Sequence, residues 1–150
     1  MPQSFVSLPV HIVFSTKNRE PLIRGEIQTR LYEYVGGTLR AQKCKLVAAG
    51  GMPDHVHLLA LLSKQVALAD LLRDMKSASS KWTHDTFPKQ HGFAWQAGYG
   101  AFAVSHLHLP DVTRYIANQS QHHRVRSYQE EFLALLKKHE IEFDERYLWE

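Results

Sequence analysis

Two histidines, His55 and His57, are spaced so that they could bind one metal ion. They belong to the segment 54–60, DHVHLLA, which is apolar enough for a buried strand. Side chains at positions i and i+2 of a strand point to the same face, so both imidazoles should project together. Asp54 could orient one imidazole through a hydrogen bond. The segment 106–108, HLH, has the same spacing, and only the apolar context of the first pair favours it as a metal site.

A tyrosine and a glutamine are predicted to share one face of a helix later in the chain. Tyr115 and Gln119 are four residues apart and follow Pro110 and Asp111, which are typical of a helix start. The carboxamide oxygen of Gln119 would give two imidazoles a third ligand and leave positions open, as a catalytic metal requires. A phenol beside such a cation could attack phosphorus and form a phosphotyrosine ester. The alternative is a core tyrosine beside a surface glutamine.

Positioning these side chains requires a sheet and helices, and the hydrophobic periodicity predicts both. Strands are predicted at residues 5–16, 45–49, 55–62 and 99–106, and helices at 25–41, 68–82, from 110 onward and at 127–140, with a turn at 50–54, a loop at 88–98 and a tail over the last ten residues. Ser127 and Glu130 form a candidate capping box. The order predicts an α+β fold, a ferredoxin-like βαββαβ antiparallel sheet with added C-terminal helices that carry the tyrosine, in a single domain over residues 1–150.

Composition narrows the class of protein. The chain has 150 residues, 44% of them hydrophobic, which suits one globular domain. Its net charge of +3 and isoelectric point near 9.0 are compatible with a nucleic-acid partner without requiring one. The single cysteine, Cys44, excludes an intramolecular disulfide and a thiolate-rich zinc site. No apolar run approaches the roughly 20 residues that span a bilayer, so we expect a cytoplasmic protein that does not bind membranes.

Several cations and one aromatic ring are candidates for a DNA-binding surface. Arg73 and Lys76 should lie opposite the apolar stripe of the second helix, and the other candidates lie in loops or near the tyrosine: Lys17, Arg19, Trp95, Arg114, Arg124 and Arg126. Lysine and arginine could neutralise phosphates, and Trp95 could stack on a base. An ordinary solvated surface would look the same for any one of these residues. His122 and His123 are predicted to be a polar surface pair.

Taken together, these motifs resemble the single-tyrosine HUH transposases of small insertion sequences, the insertion sequence two-hundred-like group, which includes relatives associated with repetitive extragenic palindromes. The resemblance is carried by His-Val-His on a strand and Tyr-x-x-x-Gln on a helix. Three further stretches contribute to it: residues 14–19 (FSTKNR), 95–100 (WQAGYG) and 147–149 (YLW). The resemblance covers essentially the whole chain.

The resemblance implies Tyr115 as the nucleophile and a divalent ion, Mg²⁺ or Mn²⁺, bound by His55, His57 and Gln119. It also implies a homodimer, and cleavage and rejoining of single-stranded DNA at hairpin-marked ends through a 5′-phosphotyrosine intermediate. Imidazole-rich sites favour softer ions than Mg²⁺, so ligand chemistry alone prefers Mn²⁺. The competing prediction is a non-catalytic or domesticated single-stranded nucleic-acid-binding protein with the same fold. It would leave the histidines, the tyrosine and the glutamine unexplained.

Overall fold

The protein is built on one four-stranded antiparallel sheet, and the computed structural model describes residues 2–123 and 126–150. Its strands are β1 (Pro9–Ser15), β2 (Lys45–Met52), β3 (His55–Leu61) and β4 (Gly100–Ala103), and its helices are α1 (Glu26–Ala41), α2 (Leu68–Thr86), α3 (Leu109–Ala117), α4 (Gln119–His122) and α5 (Tyr128–Lys138). The strands lie side by side in the order β2-β3-β1-β4. This is the split βαβ arrangement, so the predicted α+β, ferredoxin-like fold is confirmed.

The two faces of the sheet bury different kinds of residue. On one face, Phe14 and Leu58 lie in a large core that α1 and α2 cover. The opposite face carries His55 and His57, because neighbouring residues of a strand alternate between faces. There α5 adds a second, smaller core around Phe132. The buried histidines and Glu131 thus lie on the face covered by the C-terminal helices.

The strands β1 and β4 are shorter than predicted, because each ends where the neighbouring strand with which it pairs ends. β1 begins at Pro9 and not at residue 5, since Pro9 pairs with Leu61, the last residue of β3. The residues before it lie beyond the sheet, and Phe5 is 86% exposed. β4 ends at Ala103, which pairs with Val10, near the start of β1. The predicted continuation of β4 to residue 106 was therefore wrong.

β2 is longer than predicted and reaches the histidine pair. The expected turn at residues 50–54 contains only Pro53 and Asp54, because the three residues before them pair with β3. Gly51 makes this possible: a Cβ on it would lie 2.3 Å from the carbonyl oxygen of His55. Glycine in this segment therefore signals a close approach of two strands and not a wide turn.

A buried glutamine connects the loop before β4 to three other parts of the chain. Gln96 Oε1 accepts hydrogen bonds from Ser15 N at 2.7 Å and from Tyr128 Oη at 3.0 Å. Its Nε2 donates to the carbonyl oxygen of Glu150 at 3.2 Å. The end of the segment predicted as a tail is consequently docked, and Trp149 packs against α5, whereas residues 141–147 are exposed.

Lys76 of α2 holds the same loop. Its Nζ donates to the carbonyl oxygens of Gln96 at 3.0 Å, Ala97 at 3.3 Å and Gly98 at 2.6 Å. An ammonium group has three protons, so these acceptors use them all. Burial lowers the pKa of Lys76 to about 8, which leaves it charged at neutral pH. The structure gives Lys76 a structural role, and its phosphate contact stays a prediction.

The C-terminal helices lie where the sequence predicted them, except that the tyrosine helix is interrupted. The predicted capping box is confirmed, because Glu130 N donates to Ser127 Oγ at 3.2 Å and Ser127 N donates to Glu130 Oε1 at 3.4 Å. The tyrosine helix is divided at Asn118, with α3 before it and α4 after it. Over residues 2–123 and 126–150, no helix has the length and hydropathy needed to cross a membrane.

Replacing Lys76 with methionine should destabilise the fold. Methionine keeps most of the packing but leaves three carbonyl oxygens without their donor, which should lower the free energy of unfolding by about 1–3 kcal/mol. Urea denaturation measures the change. Lys81→Met is the control, because the Lys81 ammonium is exposed and pairs with Asp85 on the same helix; its effect should be much smaller. Equal effects would show that the three carbonyl contacts add no stability.

Candidate active site

His55 and His57 lie side by side on β3 and are completely buried, at 0% exposure. Their ring centroids are 5.1 Å apart. His55 Nδ1 lies 2.7 Å from Asp54 Oδ1, so Nε2 faces the interior of the site. The same-face geometry and the contact with Asp54 are as predicted. His106 and His108 are exposed, which confirms that apolar context distinguished the two pairs.

A third imidazole, His11 of β1, contacts the ring nitrogen of His57 that does not face Glu131. His11 Nε2 lies 2.8 Å from His57 Nδ1, and the rings stack with centroids 5.0 Å apart. Burial, with His57 nearby, lowers the pKa of His11 to about 3. His11 is therefore neutral at neutral pH and shares a proton with His57 Nδ1. Metal-binding histidines commonly have such a partner on the nitrogen that does not bind the metal.

The carboxylate of Glu131, on α5, lies at the centre of the site. Its Oε1 is 2.8 Å from His57 Nε2, 3.5 Å from His55 Nε2 and 3.2 Å from His123 Nε2. Its Oε2 accepts a hydrogen bond from the hydroxyl of Tyr115. Burial opposes ionisation, but hydrogen bonds from His55 and His57 hold the pKa of Glu131 far below its usual range. A single carboxylate thus joins the histidines to the tyrosine.

Gln119, the predicted third ligand, lies against the same group of atoms. Its Oε1 is 3.4 Å from His55 Nε2 and 3.1 Å from His123 Nε2. The structure therefore brings His55, His57 and Gln119 to one point. His123 was predicted on the surface, but its side chain is only 7% exposed, and that prediction was wrong. The side chain of His122 and the whole of Arg124 lie outside the described residues.

The donor atoms in this cluster fit a metal ion. The ligand atoms of His55, His57, His123 and Glu131 all lie within 4.8 Å of one another. Neighbouring ligands of an ion with bonds near 2.1 Å are about 3 Å apart, and the contacts of Glu131 Oε1 with the imidazoles span 2.8–3.5 Å. A cation would also offset the buried charge of Glu131. These side chains could therefore bind a metal.

The two imidazoles of the pair differ in their affinity for protons. Burial lowers the pKa of His55, but hydrogen bonds to Asp54 and Glu131 outweigh it and raise the pKa. At His57 burial dominates and the pKa is lowered. A histidine binds a metal in its neutral form. The lowered pKa favours that form at His57, and the raised pKa disfavours it at His55.

Tyr115 reaches the histidines of its own chain. Its ring centroid is 5.8 Å from that of His57. Burial and the nearby Glu131 carboxylate raise the pKa of the phenol above its ordinary value. The helix α3 is seated on β2 at Gly50, where a Cβ would lie 2.4 Å from the carbonyl oxygen of Ile116. The absence of a side chain at Gly50 thus sets the depth at which the tyrosine helix lies.

Two of the predicted DNA-binding arginines are paired with carboxylates. Arg73 contacts Asp70 at 3.1 Å and Asp74 at 3.2 Å, and Arg114 contacts Asp111 on the same helix. These neighbours reduce the positive charge that either arginine offers to a phosphate.

Two other predicted candidates, Arg19 and Arg126, border the histidine cluster. Arg19 and Arg126 line a cavity of about 640 Å³ that also borders Asp54 and His123. Lys17 is exposed in the short 3₁₀ turn that contains Arg19. Cations and the carboxylates of Asp54 and Glu130 therefore adjoin the histidine cluster together on the side of the first loop.

Trp95 is mainly a packing residue. Its ring makes edge contacts with Phe14 and Phe93, at centroid distances of 4.8 and 4.9 Å. Its Nε1 donates to Ser79 Oγ at 2.9 Å. These contacts leave less of the indole for the base stacking that its loop position predicted.

Three residues of the site, His11, His123 and Glu131, were not predicted. Glu131 had a detectable signal, because it lies on the apolar face of α5, between Tyr128 and Phe132, where a charge is unusual. His123 is four residues after Gln119, so it shares that face. His11 had no such signal, because its contact depends on how β1 pairs with β3.

Comparisons with known proteins agree on one family. The sequence model of a family described as "Transposase IS200 like" matches residues 4–119. The ISDra2 transposase TnpA of Deinococcus radiodurans is 26% identical over 117 residues, which are 75% of this chain and 84% of that protein. The helix α5, which carries Glu131, lies after the last residue that the family model matches.

Solved structures show the same likeness. A crystal structure from Deinococcus radiodurans R1, assigned as a transposase, has a TM-score of 0.65 at 27% identity and covers 79% of this chain and 96% of that chain. The structure of a REP-associated tyrosine transposase bound to a REP hairpin has a TM-score of 0.60 at 15% identity, over 82% of this chain and 73% of that chain. At that identity the second likeness concerns the fold alone.

Adding one methyl group at Gly50 should displace the tyrosine helix. In Gly50→Ala the new Cβ would meet the Ile116 backbone, so we expect α3 to shift and the free energy of unfolding to fall by about 1–3 kcal/mol. Hydrogen exchange of the α3 amides and chemical denaturation measure the two effects. Gly92→Ala is the control, because no atom lies within 4 Å of a Cβ there. Unchanged protection of α3 in Gly50→Ala would contradict the close packing.

Proposed function

Because the chain belongs to the IS200-like transposase family, we propose that it cleaves and rejoins single-stranded DNA at hairpin-marked ends with Tyr115 as the nucleophile. The observation that carries this proposal is the carboxylate of Glu131, which contacts the Tyr115 hydroxyl through one oxygen and His57 Nε2 through the other. A nucleophile and a set of metal ligands thus share one buried group. This arrangement suits phosphoryl transfer to a phenol.

The proposed reaction forms a bond between Tyr115 Oη and phosphorus and breaks the bond between phosphorus and the 3′ oxygen. The products are a 5′-phosphotyrosine ester and a free 3′-hydroxyl. Glu131 Oε2 accepts the hydrogen bond of the phenol and orients its oxygen, and the phenol proton ends on the leaving 3′ oxygen. The ester preserves the phosphoester bond, so a 3′-hydroxyl can reverse the reaction without ATP.

The protonation of Tyr115 determines when it can attack. An ordinary phenol is ionised to about one part in a thousand at pH 7, and burial and Glu131 raise the pKa of Tyr115 further. A free phenolate is therefore a minor form. We propose that Tyr115 attacks as its proton leaves for the 3′ oxygen. The Glu131 carboxylate has too low a pKa to keep that proton, and its role is to hold the phenol in position.

We propose that His55 and His57 hold a divalent cation, with Gln119 Oε1 and Glu131 Oε1 as oxygen ligands. When bound, the cation would withdraw charge from phosphorus and stabilise the leaving oxygen. His123 Nε2 lies 3.1 Å from the Gln119 oxygen and 3.2 Å from the Glu131 oxygen, so it can hold both in place. Mg²⁺ and Mn²⁺ both suit oxygen ligands, and the two imidazoles favour Mn²⁺.

We propose a DNA hairpin with single-stranded flanks as the substrate. The motivation is the family and the structural neighbour that was solved bound to a REP hairpin. The cavity lined by Arg19 and Arg126 lies next to Asp54 and His123 and offers cations to an approaching strand.

A homodimer stays a prediction that rests on the family resemblance. Within one chain, the Tyr115 hydroxyl already lies beside the histidine pair, through Glu131. The arrangement therefore supports action in cis. A second chain would add a second complete site, which could bind a second DNA end.

Replacing Tyr115 with phenylalanine should abolish the covalent protein–DNA adduct and leave DNA affinity within about twofold. Phenylalanine keeps the ring but lacks the oxygen that attacks phosphorus. The assay incubates the protein and Mn²⁺ with labelled hairpins that have randomised single-stranded flanks, and detects adducts on a denaturing gel. Tyr99→Phe is the control and should form adducts. His57→Ala should also fail, but raised Mn²⁺ can partly rescue it and should never rescue Tyr115→Phe.

Two results of this assay would reject the proposal in different ways. An adduct with Tyr115→Phe would mean that another residue is the nucleophile; Tyr128 is disfavoured, since its hydroxyl donates to Gln96. A wild-type protein that binds the hairpins and never forms an adduct would favour the non-catalytic, single-stranded nucleic-acid-binding alternative.

Replacing Glu131 with glutamine tests the carboxylate separately from the histidines. Glutamine keeps the shape and removes the charge, so Mn²⁺ affinity should fall at least about 10-fold and the rate of adduct formation about 100-fold. Calorimetric titration and single-turnover assays measure these effects, with Glu142→Gln on the exposed surface as the control. If Glu131→Gln binds Mn²⁺ like the wild type and Gln119→Ala does not, the cation is held without the carboxylate.

A further inference from the structure

A cavity of about 640 Å³ opens directly beside Tyr115. It lies between α3 and α5, Tyr115 and Glu131 form part of its wall, and Phe102 of β4 also lines it. Its volume falls within the roughly 300–1,000 Å³ of cavities that bind small ligands. His55 and His57 are completely buried, so a strand that fills this cavity meets the tyrosine before the histidines.

The inner wall of the cavity is apolar and aromatic. Phe102 stacks on His139, with centroids 4.7 Å apart and ring planes at 24°. Val112 lines the cavity from α3 and Leu135 from α5. A wall of this kind suits a nucleobase, because every base has a π-face that packs on aromatic rings without a sequence requirement.

The rim of the cavity carries two cations that are available to a phosphate. Arg126 and Lys138 line the cavity and are exposed, and within the part of the chain that the structure describes neither forms an ion pair. The carboxylate of Asp111, which also lines the cavity, is paired with Arg114. The charge of Glu131 is shared with imidazoles. The rim therefore offers net positive charge to a DNA backbone.

We propose that this cavity binds the unpaired nucleotide of single-stranded DNA that adjoins the scissile phosphate. Its base would lie against Leu135 and the exposed ring of His139, which stacks on the buried Phe102. Its outer phosphate would lie near Arg126 and Lys138. The inference rests on the proposed cleavage by Tyr115 and adds a binding site for one nucleotide. A base held there fixes the position of the strand relative to the phenol oxygen, which is the requirement for in-line attack.

The phosphate contact is tested with two adjacent lysines of α5. Lys137 and Lys138 are both exposed, and Lys138 lines the cavity whereas Lys137 does not. The probe is a labelled DNA hairpin with single-stranded flanks, bound at several salt concentrations by proteins that also carry Tyr115→Phe, which prevents cleavage. Lys138→Gln should weaken binding severalfold and reduce the magnitude of the slope of log affinity against log salt concentration by about one. Lys137→Gln should leave that slope unchanged. Equal slopes would overturn the contact.

The base contact is tested with a variant that fills the cavity and a matched one that does not. Ala134 lines the cavity, whereas Ala41 is exposed at the end of α1. The same probe carries an abasic nucleotide at each flank position in turn. The Tyr115→Phe protein and its Ala41→Trp derivative should bind the probe about 10-fold more weakly when the abasic nucleotide is at one particular flank position. The Ala134→Trp derivative should bind the intact probe as weakly as the parent protein binds the abasic probe. Removing the base should not lower its affinity further.

The outcomes separate this inference from the proposed function. If every abasic position is tolerated, or if Ala134→Trp keeps the sensitivity of the parent protein, the nucleotide site is overturned even when Tyr115 forms adducts. If Ala134→Trp fails to fold, the comparison of Lys138→Gln with Lys137→Gln still decides the matter. If the abasic and lysine patterns appear and the wild type never forms an adduct, the nucleotide site stands and the proposed function falls.

Discussion

Burying a carboxylate costs several kcal/mol unless hydrogen bonds and opposite charge surround it, and the rest of the site depends on how Glu131 meets that requirement. Its two oxygens contact three imidazoles and one phenol. These partners come from β3, from the residue after α4, and from α3, while the carboxylate itself comes from α5. Satisfying one charge therefore fixes four parts of the chain relative to one another, and it places the proposed nucleophile, Tyr115, beside the proposed metal ligands.

The sheet makes this convergence possible through backbone contacts that larger residues would prevent. Gly51 lets β2 run close to His55, and Gly50 lets α3 lie against β2. On the other side of β3, the antiparallel pairing with β1 brings His11 within 2.8 Å of His57. The histidines are thus held on both sides before any ion binds, and a metal that enters meets ligands whose positions are already determined.

The chain combines a family core with a helix outside it. The residues that the family model matches include His55, His57, Tyr115 and Gln119. Glu131 and the lysine at the rim of the neighbouring cavity come from α5, beyond that match. The family match therefore covers the histidine pair, Tyr115 and Gln119, whereas the carboxylate that contacts them comes from a helix after the matched residues.

Much of this could be predicted from the sequence, because it depends on local periodicity. The alternation of β3 placed His55 and His57 on one face, and the four-residue spacing placed Gln119 near Tyr115, as the structure has them. The order of strands and helices predicted the sheet. The tertiary structure alone decided that His11 joins the site, that Glu131 lies between the histidines and the tyrosine, and that Lys76 holds a loop. Those contacts join residues that are distant in sequence, so they depend on strand register and helix docking, and no local pattern of residues encodes either.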